Sequence, residues 1–233
     1  MSLPVAILSG GLATRLRPVT EKIPKALIEI NGEAFLAHQL RLLHARGIRR
    51  AVLCVGHLGE MIRDFAGAGE QFGVELQYSF DGPVLRGTGG AIHQALPLLG
   101  DSFFVLYGDS YLPCDYARVQ EAFENSGKPG LMTVYHNADQ WDSSNVEFAD
   151  GRILAYDKRV RTARMRHIDY GLGAFSRSTF EGLAPGAVCD LAEIYQKLLA
   201  ADQLAGCEVQ ERFYEIGSRE GIDDLSRMLR RER

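Results

Sequence analysis

The stretch from Leu3 to Leu27 limits what this chain can fold into more than any other: Leu3-Pro-Val-Ala-Ile-Leu-Ser-Gly-Gly-Leu-Ala-Thr-Arg-Leu-Arg-Pro, followed shortly by Ile23-Pro-Lys25-Ala-Leu. Val5 to Leu8 is an unbroken apolar run, as expected of a strand buried on both faces. It runs through Ser9 into Gly10 and Gly11, and adjacent glycines let backbone approach a ligand that any Cβ would obstruct. Thr14, Arg15, Arg17 and then Lys25 behind Pro24 complete the stretch. A buried strand that delivers backbone N–H groups and fixed positive charge to one place is suited to a polyphosphate. Arg15 offers a fork to phosphate oxygens, and Lys25 a point charge. The spacing matches neither Gly-x-x-x-x-Gly-Lys-[Ser/Thr] nor Gly-x-Gly-x-x-Gly.

Beyond this loop, strand and helix signals alternate. Leu27 to Ile30 reads as a short extended stretch before an Asn31-Gly32 turn, and Leu36, Leu40 and Leu43 recur at helical spacing over residues 34–46. Strands follow over 51–55 and 74–79, helices over 59–66 and 87–98, and a fourth apolar strand over 103–106 stops at Tyr107-Gly108-Asp109. The expected fold class is therefore α/β, Rossmann-like, with a doubly wound and mainly parallel sheet. After a helix at 115–125 the texture changes. Short strand-like runs at 130–135, 145–148, 152–157 and 170–175 predict mixed or antiparallel additions in the C-terminal half. Leu191 to Ala201 reads as a helix, 208–216 as a strand pair or one bent strand, and 218–229 as a terminal helix capped by Ser218. The expected organisation is a single domain over 1–233, in two halves of different texture, 1–125 and 126–233.

Ligands of doubly wound sheets bind beyond the carboxyl ends of the strands. Ser9-Gly10-Gly11, Gly87-Thr88-Gly89-Gly90 and Gly108-Asp109 all fall at or near such ends and can line one crevice. A carboxylate there can hold Mg²⁺, which favours one or two carboxylates plus phosphate oxygens; capping the next turn is the alternative role for Asp109. The six histidines show no metal-ligand spacing, and Cys54, Cys114, Cys189 and Cys207 form no Cys-x-x-Cys pair, which suits reduced thiols in a cytoplasmic protein. No covalent nucleophile is assigned. Trp141 reads as a pocket lid or a loop anchor.

A formal charge of -4 argues against a broad nucleic-acid surface, and no apolar run reaches the roughly 18–20 residues of a membrane span. No nucleic-acid or membrane partner is expected, and the oligomeric expectation is a monomer or small homo-oligomer.

The motif Gly10-Gly-Leu-Ala-Thr-Arg-Leu-Arg-Pro-Val-Thr with Pro24-Lys25-Ala26 resembles the signature of sugar-1-phosphate nucleotidyltransferases, Gly-Gly-x-Gly-Thr-Arg-Leu-x-Pro-Leu-Thr with Pro-Lys-Pro. Ala13 replaces the third glycine, and Ala26 the second proline. The resemblance continues through Gly87-Thr-Gly-Gly-Ala, Tyr107-Gly108-Asp109, Asp157-Lys158, Tyr170-Gly171 and Phe213 to Ser218, and so spans nearly the whole chain. It is nearest to the compact branch of heptose-1-phosphate guanylyltransferases and N-acetylmuramate-1-phosphate uridylyltransferases. It implies a nucleotide-diphospho-sugar transferase-like fold and a reaction of a nucleoside triphosphate with a sugar 1-phosphate. GTP with a heptose or mannose-type phosphate is the leaning, and UTP or CTP the alternative. It implies catalytic roles for Arg15, Lys25 and Asp109. It implies a nucleotide site of Leu8, Ser9, Gly10, Gly11, Thr14, Arg15, Gly87, Thr88, Gly90 and Asp109, and a sugar-phosphate site of Asn145, Lys158, Asp169 and Gly171. Mg²⁺ would sit on Asp109 and Glu215. The family has Asp where Glu215 stands, and Asp223 and Asp224 are alternatives within the terminal helix. A non-catalytic sugar-nucleotide-binding subunit is the rival reading, kept open by Ala13 and Glu215.

Overall fold

The computed structural model describes residues 2–11, 13–82 and 84–231; Leu12 of the first loop and Pro83 lie outside the described residues. Among the described residues one sheet has nine strands: β1 (Val5–Leu8), β2 (Arg50–Val55), β3 (Glu75–Phe80), β4 (Ser102–Tyr107), β5 (Gly130–His136), β6 (Val146–Ala149), β7 (Arg152–Tyr156), β8 (His167–Ser176) and β9 (Leu204–Val209). The helices are α1 (Phe35–Ala45), α2 (Gly59–Ala66), α3 (Gly87–Leu99), α4 (Tyr116–Ser126), α5 (Ser178–Glu181), α6 (Leu191–Ala200) and α7 (Arg219–Arg231).

The N-terminal strands are parallel, in the order β3-β2-β1-β4. The chain steps outward from β1 to β3, then returns to the other side of β1 for β4. That reversal is the switch point at which such sheets open a crevice, beyond the carboxyl ends of β1 and β4. The expected antiparallel additions are present. β8 runs antiparallel to β4 and β5, β6 and β7 form an antiparallel pair, and β9 returns parallel to β5. The sheet thus runs unbroken through both halves of the sequence.

Alternation along β1 divides the core. Val5 and Ile7 face Leu36, Leu40, Ile62 and Val119 of α1, α2 and α4, whereas Ala6 faces Ile92, Leu96 and Ile194 of α3 and α6. A third cluster of Ile30, Phe35, Tyr111, Ile216, Leu225 and Leu229 seats α7. Ser218 accepts from the Gly221 N–H at 3.0 Å, as its capping role requires. Asp115, read as helical, is instead the cap of α4, accepting from Ala117 and Arg118 N–H groups.

Two expectations are corrected. Residues 208–216 form neither a pair nor one bent strand: β9 begins at Leu204 in the main sheet, and Tyr214–Glu215 pairs separately with Ser110–Tyr111. Extended structure near Leu27 starts later, because Lys25–Leu27 is a turn of 3₁₀ helix behind Pro24, and only Glu29–Ile30 pairs, with Glu33–Ala34. Both were misplaced because the pairing partner, not local propensity, decides where a short strand lies.

Candidate active site

A cleft of about 250 Å³ opens at the carboxyl ends of β1 and β4. Leu8, Ser9, Gly10, Gly11, Lys25, Gly87, Thr88 and Asp109 all line it. Close backbone approach makes the two strand exits one unit. The Gly108 N–H donates to the Leu8 carbonyl at 3.0 Å, and a Cβ on Gly108 would stand 2.5 Å from that same oxygen. The buried Ser9 hydroxyl has no hydrogen-bond partner among the described residues, so the cleft floor holds a polar group waiting for one.

Charge converges at the mouth. Lys25 Nζ donates to Asp109 Oδ2 at 2.7 Å, with the two side chains 16% and 30% exposed. The Asp109 backbone carbonyl accepts from the Ile216 N–H at 3.0 Å, and Glu215 pairs in register with Ser110. The short ribbon therefore brings a carboxylate from the end of the chain beside Asp109. Arg15 joins them: a Cβ on Gly217 would lie 3.2 Å from its guanidinium and 3.3 Å from Glu215 Oε1. Burial, then the charges of Asp109 and Asp142, raise the Glu215 carboxyl above the usual range, while Arg15 and Lys25 oppose this.

The departure at Ala13 has a structural consequence. Ala13 sits at φ +46°, a left-handed conformation that costs a non-glycine residue roughly 1–2 kcal/mol. Its carbonyl accepts from Leu16 N–H and from the Thr20 hydroxyl, which hold the turn that carries Thr14 and Arg15. Thr14 itself is exposed on that turn.

Other sequence expectations separate. Gly90 faces away from the cleft, and a Cβ there would meet the Ala187 carbonyl at 2.4 Å. Lys158 donates to the Tyr107 hydroxyl at 3.4 Å across the cleft wall. Asn145, Asp169 and Gly171 brace a bulge in β8, where Tyr170, Gly171 and Leu172 together oppose Thr133. Asn145 Oδ1 accepts from Asp169 N–H, and the Asp169 carboxylate accepts from Gly171 N–H and the Tyr156 hydroxyl. Gly171, at φ +100°, is turned towards Ser110 and Tyr107. Asp224 pairs with Arg212 and Arg227, and Asp223 is exposed. Trp141 stacks on the Arg212 guanidinium, 3.3 Å from ring centroid to Cζ, which anchors its loop. His167 contacts Glu208 at 3.2 Å.

Sequence reasoning missed Asp81, Cys54, Leu85, Ala91 and the wall residue Tyr107, all of which line the cleft. Asp81 stands, like Asp109, just behind a strand end, but β3 alternates polar and apolar residues and extends one residue beyond the expected stop at Ser79. The Cys54 thiol is pushed up to about 12 by burial and by Asp81, so it stays protonated and is a poor nucleophile.

Comparison with known proteins agrees with this architecture. A D-glycero-alpha-D-manno-heptose 1-phosphate guanylyltransferase from Campylobacter jejuni is 27% identical over 91% of this chain and 93% of its own length. A UTP--glucose-1-phosphate uridylyltransferase from Synechocystis is 29% identical over 83% of this chain, which spans only 54% of that protein. The crystal structure of HddC from Yersinia pseudotuberculosis complexed with GMP-PN superposes with a TM-score of 0.80 at 22% identity, covering 97% of this chain and 99% of that one, and shares the fold. Residues 5–145 match the nucleotidyl transferase family, and the chain belongs to that family.

Proposed function

We propose that this chain transfers a nucleotidyl group from a nucleoside triphosphate to a sugar 1-phosphate, releasing pyrophosphate. The observation that carries the reading is the convergence of Arg15, Lys25, Asp109 and Glu215 at the mouth of a glycine-floored cleft. An ionised sugar-phosphate oxygen attacks the α-phosphorus. The new P–O bond forms as the bond to the β-phosphate breaks, so no general base is needed. Catalysis reduces to alignment and charge neutralisation. Arg15 holds the triphosphate tail and the leaving pyrophosphate, Lys25 faces the reacting phosphates, and Lys158 balances the incoming sugar phosphate. Of the bracing residues, Asn145, Asp169 and Gly171 shape the wall on the sugar side.

The donor set suits magnesium. Glu215 and Asp109 crowd two carboxylates together, Lys25 takes one Asp109 oxygen, and a hard divalent cation favours such a pair plus phosphate oxygens. When bound, magnesium would neutralise charge on the phosphate oxygens.

The guanylyl relative, which matches 91% of this chain, supports GTP with a heptose or mannose-type 1-phosphate, while the uridylyl relative keeps UTP as the second reading. The test is pyrophosphate release with each of ATP, CTP, GTP and UTP against a panel of sugar 1-phosphates and Mg²⁺. Turnover by one pair is expected. If no pair reacts while an NDP-sugar still binds, the chain is a binding subunit and the enzyme reading is wrong.

A further inference from the structure

We propose that Gln39 is a positioning residue: it holds the turn that carries Asp109, and so sets where that carboxylate meets Lys25 and a divalent cation. This rests on the nucleotidyl-transfer reading above. Gln39 lies on α1, three residues after Leu36 and four before Leu43, inside the stripe that helical periodicity reserves for apolar side chains. It is 1% exposed. An amide at such a place is costly unless its polar atoms are bonded, and a leucine would fill the space without that cost.

Its donors go to one turn. Nε2 donates to the Ser110 carbonyl at 2.7 Å and to the Tyr107 carbonyl at 3.4 Å. Those two carbonyls stand on either side of Gly108 and Asp109. Two further main-chain anchors come from other directions: the Gly108 N–H donates to Leu8, and the Asp109 carbonyl accepts from Ile216. β1, α1 and the C-terminal segment thus each hold part of the turn. Gln39 Oε1 is buried without a partner among the described residues. Turning the amide over would set that oxygen against two carbonyl oxygens, so the donor orientation is the one that fits. The side chain leaves one acceptor unpaired and places both donors on the turn.

The same helix reaches the other member of the pair. Ala26, next to Lys25, packs in one cluster with Leu36 and Leu40, and His38 Nε2 lies 2.9 Å from the Ile30 carbonyl just beyond that turn. One helix therefore underlies both groups of the 2.7 Å contact at the cleft mouth. With Lys25 on one Asp109 oxygen, the direction of the other oxygen follows the turn, and the turn follows Gln39. Groups that orient a metal-binding side chain in this way govern metal affinity or rate by about 10- to 100-fold.

The experiment compares the unaltered full chain with Gln39→Leu, which removes both donors at similar volume, and with Leu43→Ala, which opens a cavity on the same helix without touching the turn. In Gln39→Leu, kcat for pyrophosphate release should fall about 10- to 100-fold, and the Mg²⁺ concentration for half-maximal rate should rise by a similar factor. KM for the triphosphate at saturating Mg²⁺ should hold. Lysine acylation read by mass spectrometry is independent of turnover. Lys25 should label faster in Gln39→Leu, relative to the exposed Lys197, because its carboxylate partner has moved. Leu43→Ala should lower Tm and leave kcat, Mg²⁺ dependence and Lys25 labelling unchanged. A Gln39→Leu chain that loses Tm but keeps all three shows a purely structural role and overturns the proposal, as does equal damage to the three by Leu43→Ala. Where Gln39→Leu does not fold, NMR of the nitrogen-labelled unaltered chain decides. Both Gln39 side-chain N–H protons should be protected from solvent exchange and lie near residues 107–110, and free exchange overturns the proposal. If no triphosphate reacts with any sugar phosphate in the unaltered chain, the transferase reading fails, while labelling and NMR still decide what holds Asp109.

Discussion

Gly108→Ala isolates the contact that holds the two halves of the cleft together. The added Cβ would lie 2.5 Å from the Leu8 carbonyl oxygen and 2.5 Å from Ser9 Oγ, whereas ordinary contact begins near 3.4 Å. The Ser9 hydroxyl can rotate away, but the Leu8 oxygen is main chain inside a parallel ladder, paired with β2 and β4. The exits of β1 and β4 must therefore part by about 0.9 Å, carrying Gly10 and Gly11 away from Asp109. Overpacking of this kind costs about 1–3 kcal/mol. For a chain of 233 residues that is a fall of about 2–12 °C in Tm. The functional loss should be larger, because a misplacement near 1 Å costs about a hundredfold in rate. Thermal melting and kcat/KM for pyrophosphate release, measured on the same preparation, test this. A variant with unaltered Tm and kcat/KM would show that the two strand exits do not need this contact, and the reasoning would be refuted.

Lys25→Ala should lower turnover at least about a hundredfold, the loss typical of one preorganised charge; near-normal turnover would remove Lys25 from the chemistry. Glu215→Gln should raise the Tm of the ligand-free chain at neutral pH while reducing Mg²⁺-dependent turnover. The folded-state Glu215 carboxyl lies above its ordinary value, chiefly through burial and then through Asp109. The folded state therefore binds the extra proton, and stability falls as pH rises through the window between the ordinary and raised values. The gain from Glu215→Gln should accordingly shrink on acidification towards the ordinary glutamate range. A gap independent of pH between 7.5 and that range would contradict the assignment. Asp169→Ala should destabilise the chain by about 1–3 kcal/mol by stranding the Gly171 N–H and the Tyr156 hydroxyl. Unchanged denaturation with a raised KM for sugar phosphate would instead place Asp169 on the sugar.

The sequence by itself determined the parallel half of the sheet and the phosphate end of the cleft, because both are written in local signals. The apolar run over Val5–Leu8 can only be a strand buried on both faces, and helical spacing in Leu36, Leu40 and Leu43 sets the packed face of α1. Gly10, Gly11 and Asp109 lie at or close behind strand ends, so their convergence follows once the strands are parallel, whereas Lys25 enters from a 3₁₀ turn further along the chain. Tertiary structure alone decided the rest. Glu215 reaches Asp109 only because a two-residue strand pairs with Ser110–Tyr111, a contact too short and too distant in sequence to leave a local pattern. Asn145, Asp169 and Gly171 share one bulge whose register shift depends on Thr133 of a neighbouring strand. Gly87 and Gly90 both pack against the segment before α6, where a Cβ would stand 2.6 Å from the Cys189 carbonyl and 2.4 Å from the Ala187 carbonyl, a contact about a hundred residues away in sequence that no local pattern shows. Asp81 became visible as a cleft residue only once β3 was seen to run through Phe80, which sets its carboxylate beneath Gly10 at the far end of the same crevice.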